Sequence, residues 1–286
     1  MDTLRIGCVS YLNTVPLIEG LDDLSEAELI RAVPSKLIPM LQSNEVDVAL
    51  VSLIDAARSS VPMSVLPAGM IGSDGPTLTV RLYSQVPIDQ ISKVHADTDS
   101  HTSVVLARLL LAELHGLDPD FIDYDAREQI PVIKNAGLDD PAAGEWPETL
   151  LLIGDKVVTG SPPAVRYPHQ LDLGEAWKEL TGLPFVYAVW MCRSDRTEDP
   201  SVAAASAILD RQRRHNRTRI DAIVSARAPE HRWPVDLARK YIGSCLLYEY
   251  DARAQKAAER FIEMCASRGL VERAELVHAS PAIATG

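Results

Sequence analysis

The chain has 286 residues, 47% of them hydrophobic and 5% aromatic. This is too much apolar material for a disordered chain, and the length suits two lobes of ordinary domain size. A formal net charge of −12 argues against nucleic-acid binding, which needs clustered Lys and Arg, and no apolar run of about 18 residues is present to span a membrane.

In chain order, "LRIGCVSYL" from Leu4 reads as a short buried strand. It runs straight into the polar Ser10, Tyr11 and Asn13 and stops at Pro16. "ELIRAVP" is a second strand ended by Pro34. "SKLIPMLQSNE" is expected as a helix capped by Ser35, with Pro39 near its first turn or kinking it. "VDVALVSL" is apolar at almost every position, as a strand covered on both faces should be. Strand, helix, strand in this order predicts a parallel sheet with right-handed crossovers.

"MSVLPAGMIGSDGPTLTVRLYSQ" reads as two extended segments around a Gly-Ser-Asp-Gly-Pro turn. "KVHADT" is a strand, and "DSHTSVVLARLLLAELHG" is the clearest helix, stopped by Gly116. "FIDYD", "TLLLIGDKVV" and "PFVYAVWMCR" are strands. After Asp199 the spacing is helical, and the basic run Arg211–Arg219 is expected to be a solvated helix face. Tyr241, Tyr248 and Tyr250 are expected in the core or between helices. Cys8, Cys192, Cys245 and Cys265 form no CxxC and have no zinc spacing, so no metal is expected. Cys8 and Cys192 read as small buried hydrophobes. The strand pattern begins at Leu4, so no leader is expected, and reduced thiols suit the cytoplasm.

The pattern implies an α/β fold of two lobes, residues 1–85 with 190–286 forming one and 86–189 the other. Ligands of such folds bind beyond the carboxyl ends of strands and in the cleft between lobes. The residues expected there are Ser10, Tyr11 and Asn13 after the first strand, and Ser52 after "VDVALV". Thr77, Thr79 and Arg81 surround the turn; Ser100, His101, Thr102 and Ser103 follow "KVHAD"; Asp155 follows "TLLLIG". Most are uncharged hydrogen-bonding groups, suited to a small polar or anionic ligand. Hydroxyls beside the unpaired N–H groups of a helix start suit a carboxylate or phosphate. One Ser or Thr suffices for capping, and three occur in four residues. His101 reads as an exposed helix-start residue rather than a base. Asp155 reads equally well as a turn residue or as an acid/base projecting into the cleft.

Six segments in order resemble the menaquinone-pathway chorismate dehydratases (the MqnA family) of the futalosine route. They are "RIGCVSYLNTVPLIEGL", "PSKLIPMLQSNEVDVALVSLID", "SDGPTLTVRLYS", "DSHTSVVLARLLL", "LLIGDKVV" and "DLGEAWKELTGLPFVYAVWMCR", from Arg5 to about Arg193. The resemblance implies the two-lobed type II periplasmic-binding-protein-like fold. It implies that chorismate loses water to give 3-[(1-carboxyvinyl)oxy]benzoate without a metal or redox cofactor. It points to Asn13 as the central polar contact, and Thr79 stands where the family commonly has Ser. Arg81 or the turn around Gly75 is expected to assist with a second substrate carboxylate. The rival expectations are a non-catalytic binding protein or sensor for a small carboxylate, and the sibling dihydroxynaphthoate synthase.

Overall fold

The alternating strands and helices form two separate sheets in the computed structural model, which describes residues 3–135, 146–272 and 275–279. The chain starts in the first sheet with β1 (Leu4–Cys8), β2 (Ala27–Arg31), β3 (Val48–Ser52) and β4 (Met63–Ser73). It crosses to the second with β5 (Val80–Ser84), β6 (Lys93–Asp97), β7 (Asp120–Tyr124), β8 (Thr149–Ile153) and β9 (His169–Asp172). It returns with β10 (Phe185–Arg193), β11 (Leu246–Leu247) and β12 (Val277–His278).

The first sheet runs β11-β4-β10-β3-β1-β2, with β12 also on β4. β1 is parallel to β2 and β3, as the strand–helix–strand pattern requires, and β10 enters antiparallel between β3 and β4. The second sheet runs β7-β6-β8-β5-β9. Its middle strand β8, Thr-Leu-Leu-Leu-Ile, is buried at every position, so both of its faces are covered.

Strand pairing shows where the chain passes from one sheet to the other. β5 bonds to β8 and β9, and β10 pairs with β4 from Phe185 onward. The chain therefore changes sheets in segments 74–79 and 182–184. The first crossing is a tight turn held by one carboxylate. Asp172 accepts from the N–H groups of Thr77 at 2.9 Å and Leu78 at 2.8 Å, and also from Gly174 at 3.1 Å. Gly174 packs so closely here that an added Cβ would lie 2.0 Å from Thr77 Oγ1.

The helix His101–His115 is built as expected at both ends: Ser100 Oγ accepts from Ser103 N–H, and Gly116 turns left-handed at φ 67°. Leu106, Leu109, Leu110 and Leu111 are fully buried, each worth about 1.5–3 kcal/mol. Leu114, in the last turn of this helix, is exposed. The helix Pro34–Gln42 starts at Pro34, so Ser35 lies inside its first turn and is not the cap. Proline fits that first position because its missing N–H has no partner there anyway.

Helices Pro200–Arg217 and Ile220–Arg227 pack Val202, Leu209 and Ile223 with Ile6, Val48 and Trp190 on one face of the first sheet. Phe261, from helix Ala252–Ser267, covers the other face with Phe185 and Val51. The basic run is not wholly a solvated face: Arg213 is buried, with Nη2 2.7 Å from Asp210. Cys8 and Cys192 are buried, as expected. Among the described residues, no helix is long and apolar enough to cross a membrane.

Candidate functional site

A cavity opens between the two sheets where their strand ends meet. β1 ends at Cys8, and the chain enters one 3-10 turn, Leu12–Thr14, then the four-residue helix Val15–Ile18. This turn presents Asn13, with Tyr11 just before it, to the cavity. β3 contributes Ser52 at its end, and β10 contributes Tyr187. Tyr241 opens a single π-helical turn, Tyr241–Cys245. The opposite wall supplies Thr77, Thr79, Asp99, Ser100, Ser103 and Gly154. Val9, Leu37, Ile71 and Ile153 are among the apolar walls.

Of the residues expected from sequence, Tyr11, Asn13, Ser52, Thr77, Thr79, Ser100 and Ser103 are brought together around this cavity. Ser10, Arg81, Thr102 and Asp155 are not among its lining residues. Ser10 is exposed. Arg81 stands opposite Asp172 in the β5–β9 pair and reaches Gln170 at 3.1 Å and Asp172 at 3.5 Å. A cross-strand carboxylate thus holds the guanidinium outside the cavity. Thr102 is fully buried, and its hydroxyl accepts the Ile54 N–H at 3.2 Å across the cleft. The hydroxyls at the helix start therefore divide their work. Ser100 caps, Thr102 ties the lobes, and Ser103 bonds Ser100 at 2.9 Å while lining the cavity.

Asp155 follows Gly154, whose left-handed φ of 66° turns the chain sharply at the end of β8. The Asp155 carboxylate accepts from Leu12 N–H at 3.3 Å, His231 Nδ1 at 3.1 Å and Trp233 Nε1 at 3.0 Å. Leu12, His231 and Trp233 all belong to the lobe of the first sheet.

Sequence reasoning did not select Tyr187, Tyr241 or Asp99 as site residues. Tyr187 shares a 2.5 Å hydrogen bond with Thr77, and Tyr241 shares one of 2.6 Å with Thr79. Burial pushes both phenols well above their ordinary range, so each keeps its proton and serves as a neutral O–H. Asn13 lines the same cavity and slightly offsets the rise of the Tyr241 phenol. Asp99 brings the one carboxylate among the described lining residues. It accepts from the Tyr11 hydroxyl at 2.7 Å and from Arg127 Nε at 2.6 Å, and it pairs with Lys156. Burial opposes its charge, but Lys156, Arg127 and Tyr11 together hold the carboxyl below the usual range. A carboxylate so committed is a weak proton acceptor.

The two walls are stitched together around the cavity. Tyr11 meets Asp99, Leu12 meets Asp155, and Thr79 meets Tyr241. His101 Nδ1 lies 2.8 Å from Asp55. The result is a lined chamber of hydroxyl, phenol and amide groups backed by apolar side chains. It can orient a small polar molecule through many neutral hydrogen bonds and exclude water from it.

The chain is 30% identical over 237 residues to a chorismate dehydratase of Thermus thermophilus, covering 78% of this chain and 81% of that protein. Its fold resembles that of a protein of Archaeoglobus fulgidus, with a TM-score of 0.67, 16% identity and coverage of 94% of this chain and 98% of that one. It also resembles the alkanesulfonate-binding protein of Xanthomonas axonopodis pv. citri bound to MOPS, with a TM-score of 0.66, 12% identity and coverage of 99% and 98%. These likenesses establish a two-lobed periplasmic-binding-protein-like fold. The model of a family described as "Menaquinone biosynthesis" matches residues 4–267, and the chain belongs to that family.

Proposed function

We infer that this protein is a chorismate dehydratase, a hydro-lyase that converts chorismate to 3-[(1-carboxyvinyl)oxy]benzoate and water in menaquinone biosynthesis by the futalosine route. The observation that carries this reading is the make-up of the cavity. Its polar lining is almost wholly neutral hydrogen-bonding groups, and its one lining carboxylate among the described residues is already committed to Tyr11, Arg127 and Lys156. The Thermus relative carries the same activity in its name. As an enzyme of this pathway the protein is expected to work in the cytoplasm.

The residues then divide the chemistry. Ser100, Ser103 and the helix start bind one substrate carboxylate through neutral donors. Thr79 and Ser52 contact the rest of the substrate. Asn13 cannot act as a base, but its amide can hydrogen-bond the departing hydroxyl, with the neutral Tyr241 phenol beside it. In the reaction a ring C–H bond breaks, its electron pair forms the new ring double bond, and the adjacent C–O bond breaks. The proton and the departing hydroxyl together make the water, and aromatisation supplies the driving force. A general base must come within about 2.6–3.2 Å of the proton it takes. Asp155 does not line the cavity, and Asp99 is held anionic by its partners. A carboxylate of chorismate itself therefore takes the proton, and the protein fixes the geometry.

The test is incubation of purified protein with chorismate, read by aromatic absorbance and mass. A product lighter than chorismate by one water is expected. Chorismate bound but unchanged by folded protein would instead support a binding protein or sensor, a role that the alkanesulfonate-binding neighbour shows this fold can take. Turnover of a cyclic futalosine derivative in place of chorismate would assign the sibling activity.

A further inference from the structure

Asp155 sits one residue beyond the cavity wall, and its carboxylate is spent on the opposite lobe. One oxygen accepts from the peptide N–H of Leu12 at 3.3 Å and from His231 Nδ1 at 3.1 Å. The other accepts from the Trp233 indole at 3.0 Å. The Leu12 and Trp233 contacts lead back to the cavity. Leu12 is the peptide neighbour of Asn13, within the same 3-10 turn. The Trp233 ring stacks on Tyr241, with centroids 4.9 Å apart and planes 14° from parallel. Tyr241 in turn meets Thr79 at 2.6 Å and lines the cavity together with Asn13.

One carboxylate thus bridges two segments that lie far apart in sequence and whose polar tips meet in the cavity. The bridged parts are well enclosed: Leu12 and Tyr241 are each 1% exposed and Trp233 is 3% exposed. Neither segment is regular enough to fix itself. One is a three-residue 3-10 turn, and the other leads into a single π-helical turn.

We propose that Asp155 and Trp233 are positioning residues of the dehydratase reaction. Asp155 holds the Asn13 turn through Leu12 N–H, and it holds Tyr241 through the stacked Trp233. The two cavity donors are thereby presented as one preset pair. This rests on the dehydratase reading given above. It assigns Asp155 no contact with the substrate and no part in moving the ring proton.

The experiment compares Asp155→Asn and Trp233→Phe with the wild-type chain, in steady-state chorismate turnover across pH and in melting temperature. Asparagine keeps one acceptor but points an N–H₂ at groups that are themselves donors. Phenylalanine keeps an aromatic ring against Tyr241 but loses the indole N–H and part of the ring, a packing loss that the melting temperature reads. Misplaced donors cost turnover more than binding. Asp155→Asn should lower kcat about 100-fold, a loss typical of mispositioned reacting groups. KM should stay within roughly threefold, since ground-state contacts are kept. Trp233→Phe should lower kcat about tenfold, the scale of one lost buried hydrogen bond. The pH dependence of kcat should keep its wild-type shape in both variants.

The proposal is overturned if folded Asp155→Asn loses all turnover while Trp233→Phe behaves as wild type, because Asp155 would then touch the reaction itself. It is equally overturned if both variants turn over normally. A crystal structure of Asp155→Asn gives an independent reading, in which Asn13 and Tyr241 should be displaced; finding both unmoved sinks the proposal. Wild-type protein that leaves chorismate untouched would instead sink the dehydratase reading, and the crystal structure would still decide whether Asp155 positions the pair.

Discussion

The strand ends that face each other across the cavity are built in opposite ways. Beyond β6, Ser100 and Ser103 sit at the start of a 15-residue helix. That helix has its own cap, its own stop and a row of buried leucines. Beyond β1, Tyr11 and Asn13 sit on a 3-10 turn and a four-residue helix with no side-chain cap. A helix this short cannot hold its shape through its own hydrogen bonds. The first wall takes its geometry from local structure and packing. The second borrows its geometry from aspartates of the other lobe, Asp99 on Tyr11 and Asp155 on Leu12. The cavity is therefore sensitive to the core on one side and to long-range bridges on the other.

The largest effect should come from loosening the rigid side. Leu110 is fully buried beneath the helix that carries Ser100 and Ser103. Leu110→Ala should lower unfolding stability by about 2–5 kcal/mol, the usual cost of such a cavity. Chemical denaturation measures it, and a cost under about 1 kcal/mol would mean that the helix is not the anchor described here. On the borrowed side, Asn13→Ala removes the amide while leaving the backbone N–H of Leu12 on Asp155. It should lower kcat about 10²–10³-fold, the scale for one lost transition-state donor, with little change in melting temperature. Unchanged kcat would remove Asn13 from the chemistry.

The same contrast explains what the sequence could disclose. The helix at 101–115 was readable because its cap, apolar stripe and terminal glycine are all local signals. The buried strands β3 and β8 were readable from unbroken apolar runs. Asn13, Ser52 and Thr79 were readable because each stands at or beside a strand end. Tyr187 and Tyr241 were not, because Tyr187 lies in an apolar strand, Tyr241 follows Arg239 and Lys240 in a helical segment, and each reaches the cavity only when folding brings its hydroxyl against Thr77 or Thr79. A polar-tipped aromatic inside a buried strand was the one signal that Tyr187 offered. Arg81 was misplaced because its partner Asp172 lies 91 residues away, across a strand pair that sequence does not announce. The points where the chain changes sheets, at 74–79 and 182–184, carry no flexible linker composition that would mark them in sequence.

Two serines sharpen the comparison at smaller scale. Ser100→Ala removes the acceptor for Ser103 N–H and should cost about 1 kcal/mol of stability, as lost caps do. Ser103→Ala keeps that acceptor but removes a cavity hydroxyl and its 2.9 Å bond to Ser100. It should raise KM for chorismate with a smaller loss of stability than Ser100→Ala. If the two variants behaved alike in both assays, capping and binding would not be separable at this helix start.

The smallest effect concerns the interlobe pair of His101 and Asp55, 2.8 Å apart. The hydrogen bond to Asp55 raises the His101 pKa above its ordinary value, against the opposing effects of burial and Arg58. A group with a raised folded pKa contributes fully below its unfolded value, near 6.5. That contribution is lost as pH rises through the higher folded value. The tie between the lobes should therefore be complete in mild acid and weaken above neutrality. Melting temperature followed from about pH 6 to pH 8 should fall more steeply for the wild type than for His101→Ala. Because the imidazole is 45% exposed, solvent screens the pair and the difference should be modest. Parallel curves for the two proteins would show that the helix start is held by Ser100 and Thr102 alone, and that the rigid wall needs no charge to meet the other lobe.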